Sequence, residues 1–273
     1  MQITEGEFFM DDLKRRKRRA RKLRRLRRCI CLCAVALGLI VVLHIAGSRT
    51  GTGRQQTVTA RQERSWEQKD VPESLIELAE RNPETITFVD DYKNVDINLE
   101  TIDISDDVVS GEIPLFLQWD ERWGYREYNE SIIGLAGCGP TCLSMATIYL
   151  TGDTTKDPLW MCRFAEQNQF NVPGSGSKWA LISEGGRMLG LDVTQIPLDK
   201  DRIYRNLDVG NPIIVVVGPG DFTTDGHFLV LTGHSGDKIT LNDPNSPTNS
   251  AKSWDYDTLA GQIQALWVLR RAG

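Results

Sequence analysis

The stretch Gly137-Cys138-Gly139-Pro140-Thr141 constrains the fold of this 273-residue chain more than any other. It reads as a short glycine-flanked loop turning into a helix, because Thr141 to Leu150 is mostly apolar and stops before Thr151-Gly152-Asp153. Proline suits a first helical turn, where a missing N–H leaves no hydrogen bond unmade. A thiol at a helix N-terminus faces unpaired backbone N–H groups and the positive end of the helix dipole, which favour thiolate over thiol. A cysteine of ordinary pKa, about 8.5, thereby becomes a nucleophile at neutral pH. The alternative is a small buried apolar cysteine.

A hydrolase built on that thiol also needs a base, a group that orients the base, and an oxyanion donor. Beyond residue 46 the only histidines are His227 and His234. His227 opens the apolar, β-branched run His227-Phe228-Leu229-Val230-Leu231, which reads as a strand. His234 sits in Thr232-Gly233-His234-Ser235-Gly236-Asp237, a turn composition that predicts an exposed, dispensable residue whose nearest acidic candidate is Asp237. The next strand, Lys238 to Leu241, leads into Asn242-Asp243-Pro244. If the two strands form a hairpin, His227 and Asp243 share one end of the sheet, as base and orienter require. Upstream, Gln118 in Leu117-Gln118-Trp119-Asp120 is the candidate amide donor for an oxyanion.

Gln118, the Cys138 pentapeptide, Gly226-His227-Phe228 and Asn242-Asp243-Pro244 resemble the active-site motifs of the papain-like, bacteriocin-leader-processing (double-glycine) cysteine peptidases. The closer likeness is to stand-alone, membrane-tethered bacterial members, over roughly residues 111–273. The resemblance implies that Cys138 is the nucleophile, His227 the general base, Asp243 its orienter and Gln118 the oxyanion-hole side chain. It also implies a peptide or protein substrate, with Gly137, Trp179 and Gly226 as substrate-binding residues. The sequence departs from the transporter-fused branch: no Gly-x-x-x-x-Gly-Lys-[Ser/Thr] phosphate loop occurs, so no ATPase domain is expected in this chain. Fold and chemistry can carry over without the substrate.

Twelve of the 32 Lys and Arg crowd into residues 14–28, directly before an apolar run free of Asp, Glu, Lys and Arg from Cys29 to Ala46. As a helix those residues span about 27 Å at about 1.5 Å per residue, close to a hydrocarbon core of roughly 30 Å. The expectation is an uncleaved, single-pass anchor in the cell membrane, with residues 1–28 as a cytoplasmic basic tail and everything after residue 46 extracytoplasmic. A cleaved signal peptide is the competing reading, with Ile45-Ala46-Gly47-Ser48 as the acceptor site. Only four of the 37 acidic residues precede residue 29, so residues 47–273 hold 20 basic and 33 acidic groups, a net of −13. That charge excludes nucleic acid as an expected partner. Three cysteines remain beyond the run, Cys138, Cys142 and Cys162. An odd number hints at a free thiol, and Cys142 reads as core. No paired Cys-x-x-Cys or His-x-x-x-His spacing occurs, and neither a metal nor a cofactor is expected.

Residues 47–70 are polar and read as a flexible linker. Residues 71–110 form a short helical and acidic accessory segment: one helix opens at Pro72-Glu73-Ser74, and a second follows Asn82-Pro83-Glu84 and carries Ile86, Phe88, Val89 and Tyr92. Docking on the main domain is its expected role, a propeptide-like block the alternative. Residues 111–273 form the main domain. Pro158 to Asn168 reads as a helix with Trp160, Cys162, Phe164 and Ala165 inward. The glycine-rich loop Gly174 to Trp179 precedes a helix over Ala180–Leu189. A helix over Asp201–Asp208 and a central strand over Ile213–Val217 follow. A helix over Asp257–Gln264 and a strand over Ala265–Leu269 close the chain. Helices before residue 210 and strands after it give an α+β, papain-like fold, its N-terminal helices packed on an antiparallel sheet.

The function implied is an extracytoplasmic, membrane-anchored cysteine peptidase hydrolysing peptide or isopeptide bonds. Two alternatives stand beside it. One is a catalytically silent module holding a peptide or cell-wall fragment in a cleft rimmed by Trp119, Trp123, Trp179 and Phe222. The other is an acyl transferase using the same thioester intermediate.

Overall fold

The computed structural model of the chain describes residues 58–95 and 102–272. The chain divides into two units, residues 1–54 and 55–273, and only the second contains described residues. The basic tail and the apolar run expected to span a membrane lie outside the described residues. Among the described residues, no helix is long and apolar enough to cross a membrane.

Helix α1 (Ala60–Gln68) is opened by a capping box between Thr59 and Gln62. Helix α2 (Glu73–Arg81) follows Pro72. The Asn82 side chain then accepts from the Glu84 N–H at 3.2 Å and caps a 3-10 turn, Pro83–Thr85. That turn runs into α3 (Ile86–Asp90). Leu75, Leu78, Phe88 and Val89 are buried together with Trp66 and Tyr125. The linker expected over 47–70 is corrected here: α1 occupies its last third, and Trp66, fully buried, donates its indole N–H to Asp90 at 2.6 Å. Truncating an aromatic that size in a core costs about 3–5 kcal/mol, so α1 belongs to the packed unit. One tryptophan among polar residues gives periodicity too little to register. The second accessory helix is also shorter than expected, and Tyr92 falls in the turn after it.

The main domain continues through a small hairpin, β1 (Glu127–Tyr128) and β2 (Ser131–Ile132), into α4 (Ile133–Ala136), α5 (Cys138–Thr151) and α6 (Pro158–Gln167). All residues of α5 from Gly139 to Ile148 are buried, which accounts for a helix with no polar face. In α6, Cys162 and Ala165 point into the core, while Trp160 and Phe164 are half-buried and stack with centroids 5.5 Å apart.

A second short hairpin, β3 (Asn171–Val172) and β4 (Gly176–Ser177), carries the glycine-rich loop. Where one helix was expected over Ala180–Leu189, the chain makes a π-helical turn, Leu181–Gly185, and then α7 (Gly186–Met188). The Gly185-Gly186 pair in its middle has low helix propensity. The rest comprises β5 (Leu191–Gln195), α8 (Lys200–Asp208), β6 (Ile213–Val217), β7 (His227–Ser235), β8 (Lys238–Asn242), α9 (Pro247–Ser250), β9 (Ser253–Asp255), α10 (Tyr256–Ala260) and β10 (Ile263–Arg271). The final helix therefore stops well short of Gln264, and the final strand is longer than expected.

Six strands form one antiparallel sheet in the order β5-β10-β6-β7-β8-β9. In β6 the side chains alternate between two cores. Ile214 and Val216 pack with α5 and α6, and Ile213, Val215 and Val217 pack with Ile203 and Leu207 of α8. A strand covered on both faces needs an unbroken apolar run, which is what Ile213–Val217 supplies. The architecture is α+β with an antiparallel sheet. Strands β7 and β8 pair as a hairpin in which Val230 faces Asn242, so the start of β7 and the end of β8 meet at one edge.

Candidate active site

Helix α5 begins at Cys138 itself, with Gly137 as its N-cap, so the thiol sits on the first helical turn. Gly139 lets that turn approach the rest of the domain: a Cβ there would lie 3.1 Å from Ser177 Cβ and 3.4 Å from the Phe228 ring. The helix N-terminus is thereby seated against β4 and β7. Gly137 is a correction. It is buried, it is not among the cleft-lining residues, and a Cβ on it would lie 2.5 Å from Ile133 Cγ2. It shapes the turn from α4 into α5 and does not line the cleft.

The edge where β7 starts and β8 ends brings His227 to Asp243. The His227 Nε2–H donates to Asp243 Oδ1 at 2.8 Å, with both side chains buried. The thiol of Cys138 interacts with the same ring, and since Nε2 is engaged by Asp243, Nδ1 is the nitrogen left for it. Asp243 is held from three sides: Oδ1 also accepts from the Asn245 N–H at 2.8 Å, and Oδ2 accepts from Asn249 Nδ2 at 2.8 Å. Gln118 is buried at the cleft, its Nε2 donating to Gly134 O at 2.8 Å and its backbone N–H to Pro244 O at 2.7 Å. Its amide nitrogen keeps a second N–H for another acceptor.

Burial alone raises the Cys138 thiol, but hydrogen bonding and charge from His227, with the backbone N–H groups of Phe228 and Gly139, outweigh it and bring the pKa below its ordinary value. Burial opposes a charged His227 as well. The Asp243 carboxylate and the hydrogen bonds to Asp243 and Cys138 overcome that opposition and raise the ring to about 10. Asp243 is disfavoured by burial, yet the His227 charge and the hydrogen bonds from His227, Asn249 and Asn245 hold it below the usual carboxylate range. The three groups together favour a thiolate–imidazolium–carboxylate arrangement. Cys142 and Cys162 are free and buried, and desolvation pushes both thiols well above the ordinary value.

A direct measurement follows from that contrast. At pH about 6 an ordinary thiol is on the order of 0.3% ionised, so a thiol-directed electrophile added to the intact chain should alkylate Cys138 far ahead of Cys142 and Cys162. The thiolate fraction of Cys138 falls only as pH drops through its lowered pKa. Equal labelling of the three cysteines would remove the activated thiolate.

The site opens into a cleft of about 820 Å³. Its walls include the loop Gly174–Ser177, the loop Gly220–Gly226, and Leu78, Arg81 and Asn82 from the accessory segment. Trp179, 44% exposed, lines it, as do Phe222 and Gly226. Trp119 and Trp123 do not. Trp123 is fully buried and donates to Leu117 O at 2.8 Å, and Trp119 donates to Asn245 O at 3.0 Å. His234 is half-buried rather than exposed, and its acidic partner is Asp208 and not Asp237: Nε2 pairs with Asp208 Oδ1 at 2.9 Å, and the ring stacks on Tyr204 at 4.0 Å. Asp208 lies 26 residues away on α8, outside any local reading. It is not among the cleft-lining residues. Asn245 and Asn249 were not singled out from sequence, where two asparagines in a polar loop carry no distinguishing signal. Among the described residues no cluster of three His, Cys, Asp or Glu is placed to hold a metal ion.

A family model described as the Peptidase_C39 like family matches residues 111–272. No curated protein matches the chain. Among solved structures, the peptidase domain of Streptococcus ComA, a bi-functional ABC transporter involved in a quorum sensing pathway, is 18% identical with a TM-score of 0.38, over 50% of this chain and 91% of that one. A protein described as a C39-like peptidase from Bacillus anthracis is 15% identical with a TM-score of 0.40, over 61% and 98%. A double glycine motif protease from an AMS/PCAT transporter, in complex with the leader peptide, is 14% identical with a TM-score of 0.33, over 60% and 94%.

Proposed function

This chain belongs to the Peptidase_C39 like family, and from that premise we propose that it is a cysteine peptidase acting on peptide or isopeptide bonds. The observation that carries the reading is the linked trio: Cys138 at the first turn of α5 and His227 both line an open cleft, their charges coupled, and the His227 Nε2 meets the buried Asp243 at 2.8 Å behind them.

In this mechanism the Cys138 thiolate attacks the scissile carbonyl carbon, and the carbonyl π electrons move to oxygen. The Cys138 backbone N–H and the free N–H of Gln118 receive that oxyanion. As the tetrahedral intermediate collapses, the C–N bond breaks and the imidazolium of His227 gives its Nδ1 proton to the leaving amine. Neutral His227 then takes a proton from water, which attacks the thioester and releases the acid and the thiolate. Asp243 stays ionised throughout and fixes the ring orientation. The sequence-based expectation of an extracytoplasmic, membrane-tethered location accompanies this reading and rests on the basic block and the apolar run at 29–46.

The reading is tested by comparing new protein N-termini on cells carrying the native chain or Cys138→Ala. Cleavages present only with the native chain identify substrates. Identical sets of N-termini, with ligand still captured by both chains, would leave a silent binding module instead.

Gln118 gives the sharpest test of the oxyanion step. Removing one such donor typically lowers turnover by about 100- to 1,000-fold with little change in ground-state binding. Gln118→Ala is therefore expected to lose peptide hydrolysis on that scale while Cys138 alkylation, which creates no oxyanion, stays near the native rate. Equal losses in both assays would mean that Gln118 serves its side-chain bond to Gly134 rather than the reaction.

A further inference from the structure

The loop that follows β8 carries Asp243, and its conformation depends on residues from a distant part of the chain. Glu84, in the 3-10 turn between α2 and α3, reaches α9 with both carboxylate oxygens. Oε1 accepts from the Thr248 N–H at 3.1 Å and the Thr248 hydroxyl at 2.5 Å, and Oε2 accepts from the Ser246 hydroxyl. Asn82, two residues earlier, donates through Nδ2 to Asn245 O at 2.7 Å, beside the 3.0 Å bond from Trp119 to the same oxygen. Of the residues so held, Asn245 also holds Asp243: its N–H donates to the carboxylate, as does Nδ2 of the neighbouring Asn249, and the Ser250 hydroxyl accepts from the Asp243 backbone N–H at 2.9 Å. Ser246, gripped by Glu84, in turn caps α9 by accepting from the Asn249 N–H. Leu78, Arg81 and Asn82 of the same segment line the cleft while leaving Cys138 half-exposed in it.

We propose that the segment carrying α2 and α3 is a built-in part of the catalytic site, with Glu84 and Asn82 as positioning residues that brace the Asp243–Ser250 loop. The inference rests on the peptidase reading and deepens it. A carboxylate receiving three hydrogen bonds, two of them from hydroxyls and one from a backbone N–H, fixes the loop more tightly than neutral contacts would. It acts on catalysis through the orientation of Asp243 toward His227. The same geometry makes the segment a wall and support of the cleft, not a removable plug over the thiol. From the elements around it, the titratable groups facing His227 and Asp243 are the Cys138 and Cys142 thiols of α5, and neither belongs to the brace.

The test is the pH profile of Cys138 alkylation in the full chain, for the native protein, Glu84→Ala and the exposed-helix control Glu80→Ala. Loosening Asp243 weakens the imidazolium beside the thiolate, so in Glu84→Ala the midpoint of the profile should rise by about one pH unit. On the acidic limb of the profile, where Cys138 is mostly protonated, alkylation should then fall roughly tenfold, while the alkaline plateau and the protection of Cys142 and Cys162 stay native. Glu80→Ala should follow the native profile. Should Glu84→Ala expose Cys142 and Cys162, showing general unfolding, Thr248→Val and Asn82→Ala decide the matter by shifting the midpoint in the same direction or leaving it in place. A native chain in which Cys138 labels no faster than the buried cysteines would overturn the peptidase reading itself. An activated native Cys138 with an unshifted Glu84→Ala profile, or with unshifted profiles in both substitute variants, would overturn the brace alone.

Discussion

Cys138→Ala is expected to abolish peptide hydrolysis, with a loss on the order of a million-fold or about 8 kcal/mol of transition-state stabilisation. Covalent catalysis divides one difficult displacement into two easier steps, and both pass through the sulfur. Cys142, four residues further along α5, cannot substitute: it is fully buried in the core and its thiol is pushed well above the ordinary range. The oxyanion donors and the cleft remain in the variant, so binding of a peptide should persist while turnover disappears. The measurement is hydrolysis of a substrate peptide beside its equilibrium binding, in the native chain and the variant. Retention of more than about 1% of native turnover would place the nucleophile elsewhere.

His227→Ala should be comparably damaging, and His234→Ala should not. Both histidines meet an aspartate at nearly the same distance, 2.8 Å for His227 with Asp243 and 2.9 Å for His234 with Asp208. A His–Asp pair alone therefore does not identify the base. His234 does not line the cleft, whereas His227 lines it beside Cys138, interacts with the thiol there and has its ring raised to about 10. Its loss removes the proton donor for the leaving amine and also the charge that holds the thiol ionised. Turnover should fall by about 10⁴-fold or more. Thiol alkylation at pH about 6 should fall too, because the midpoint of Cys138 moves up when the adjacent imidazolium is absent. His234 lies in the half-buried part of β7, stacked on Tyr204. Replacing it removes its contact with Asp208 and its stacking on Tyr204, both away from the cleft, and should leave both assays near native. A variant pair with the reverse ranking would overturn the assignment of the base.

The meeting of Cys138, His227 and Asp243 was legible from local chemistry because each of the three sits at a punctuated boundary. Glycine and proline mark the helix start, a β-branched run follows the histidine, and Asn-Asp-Pro ends the second strand. The Ile213–Val217 run fixed a central strand for the same reason: burial on both faces leaves no alternation to misread. Segments with little apolar content were less legible. Helix α1 rests on one buried tryptophan, and the stretch after Trp179 splits into a π-turn and a short helix around its glycine pair.

Contacts between residues far apart in the chain belonged to the tertiary structure alone. Asp208 on His234, 26 residues away, and Glu84 on a loop more than 160 residues away are polar side chains of ordinary composition, identical in sequence to solvated ones. The same holds for Gly137, expected to bind substrate and instead packed against Ile133, off the cleft lining. Local physics, meaning caps, periodicity and turn chemistry, acts over a few residues and so is written in the sequence around each element. Which polar group meets which across the fold depends on how the apolar faces close together. A sequence records those faces one at a time, and only their packing sets the partners.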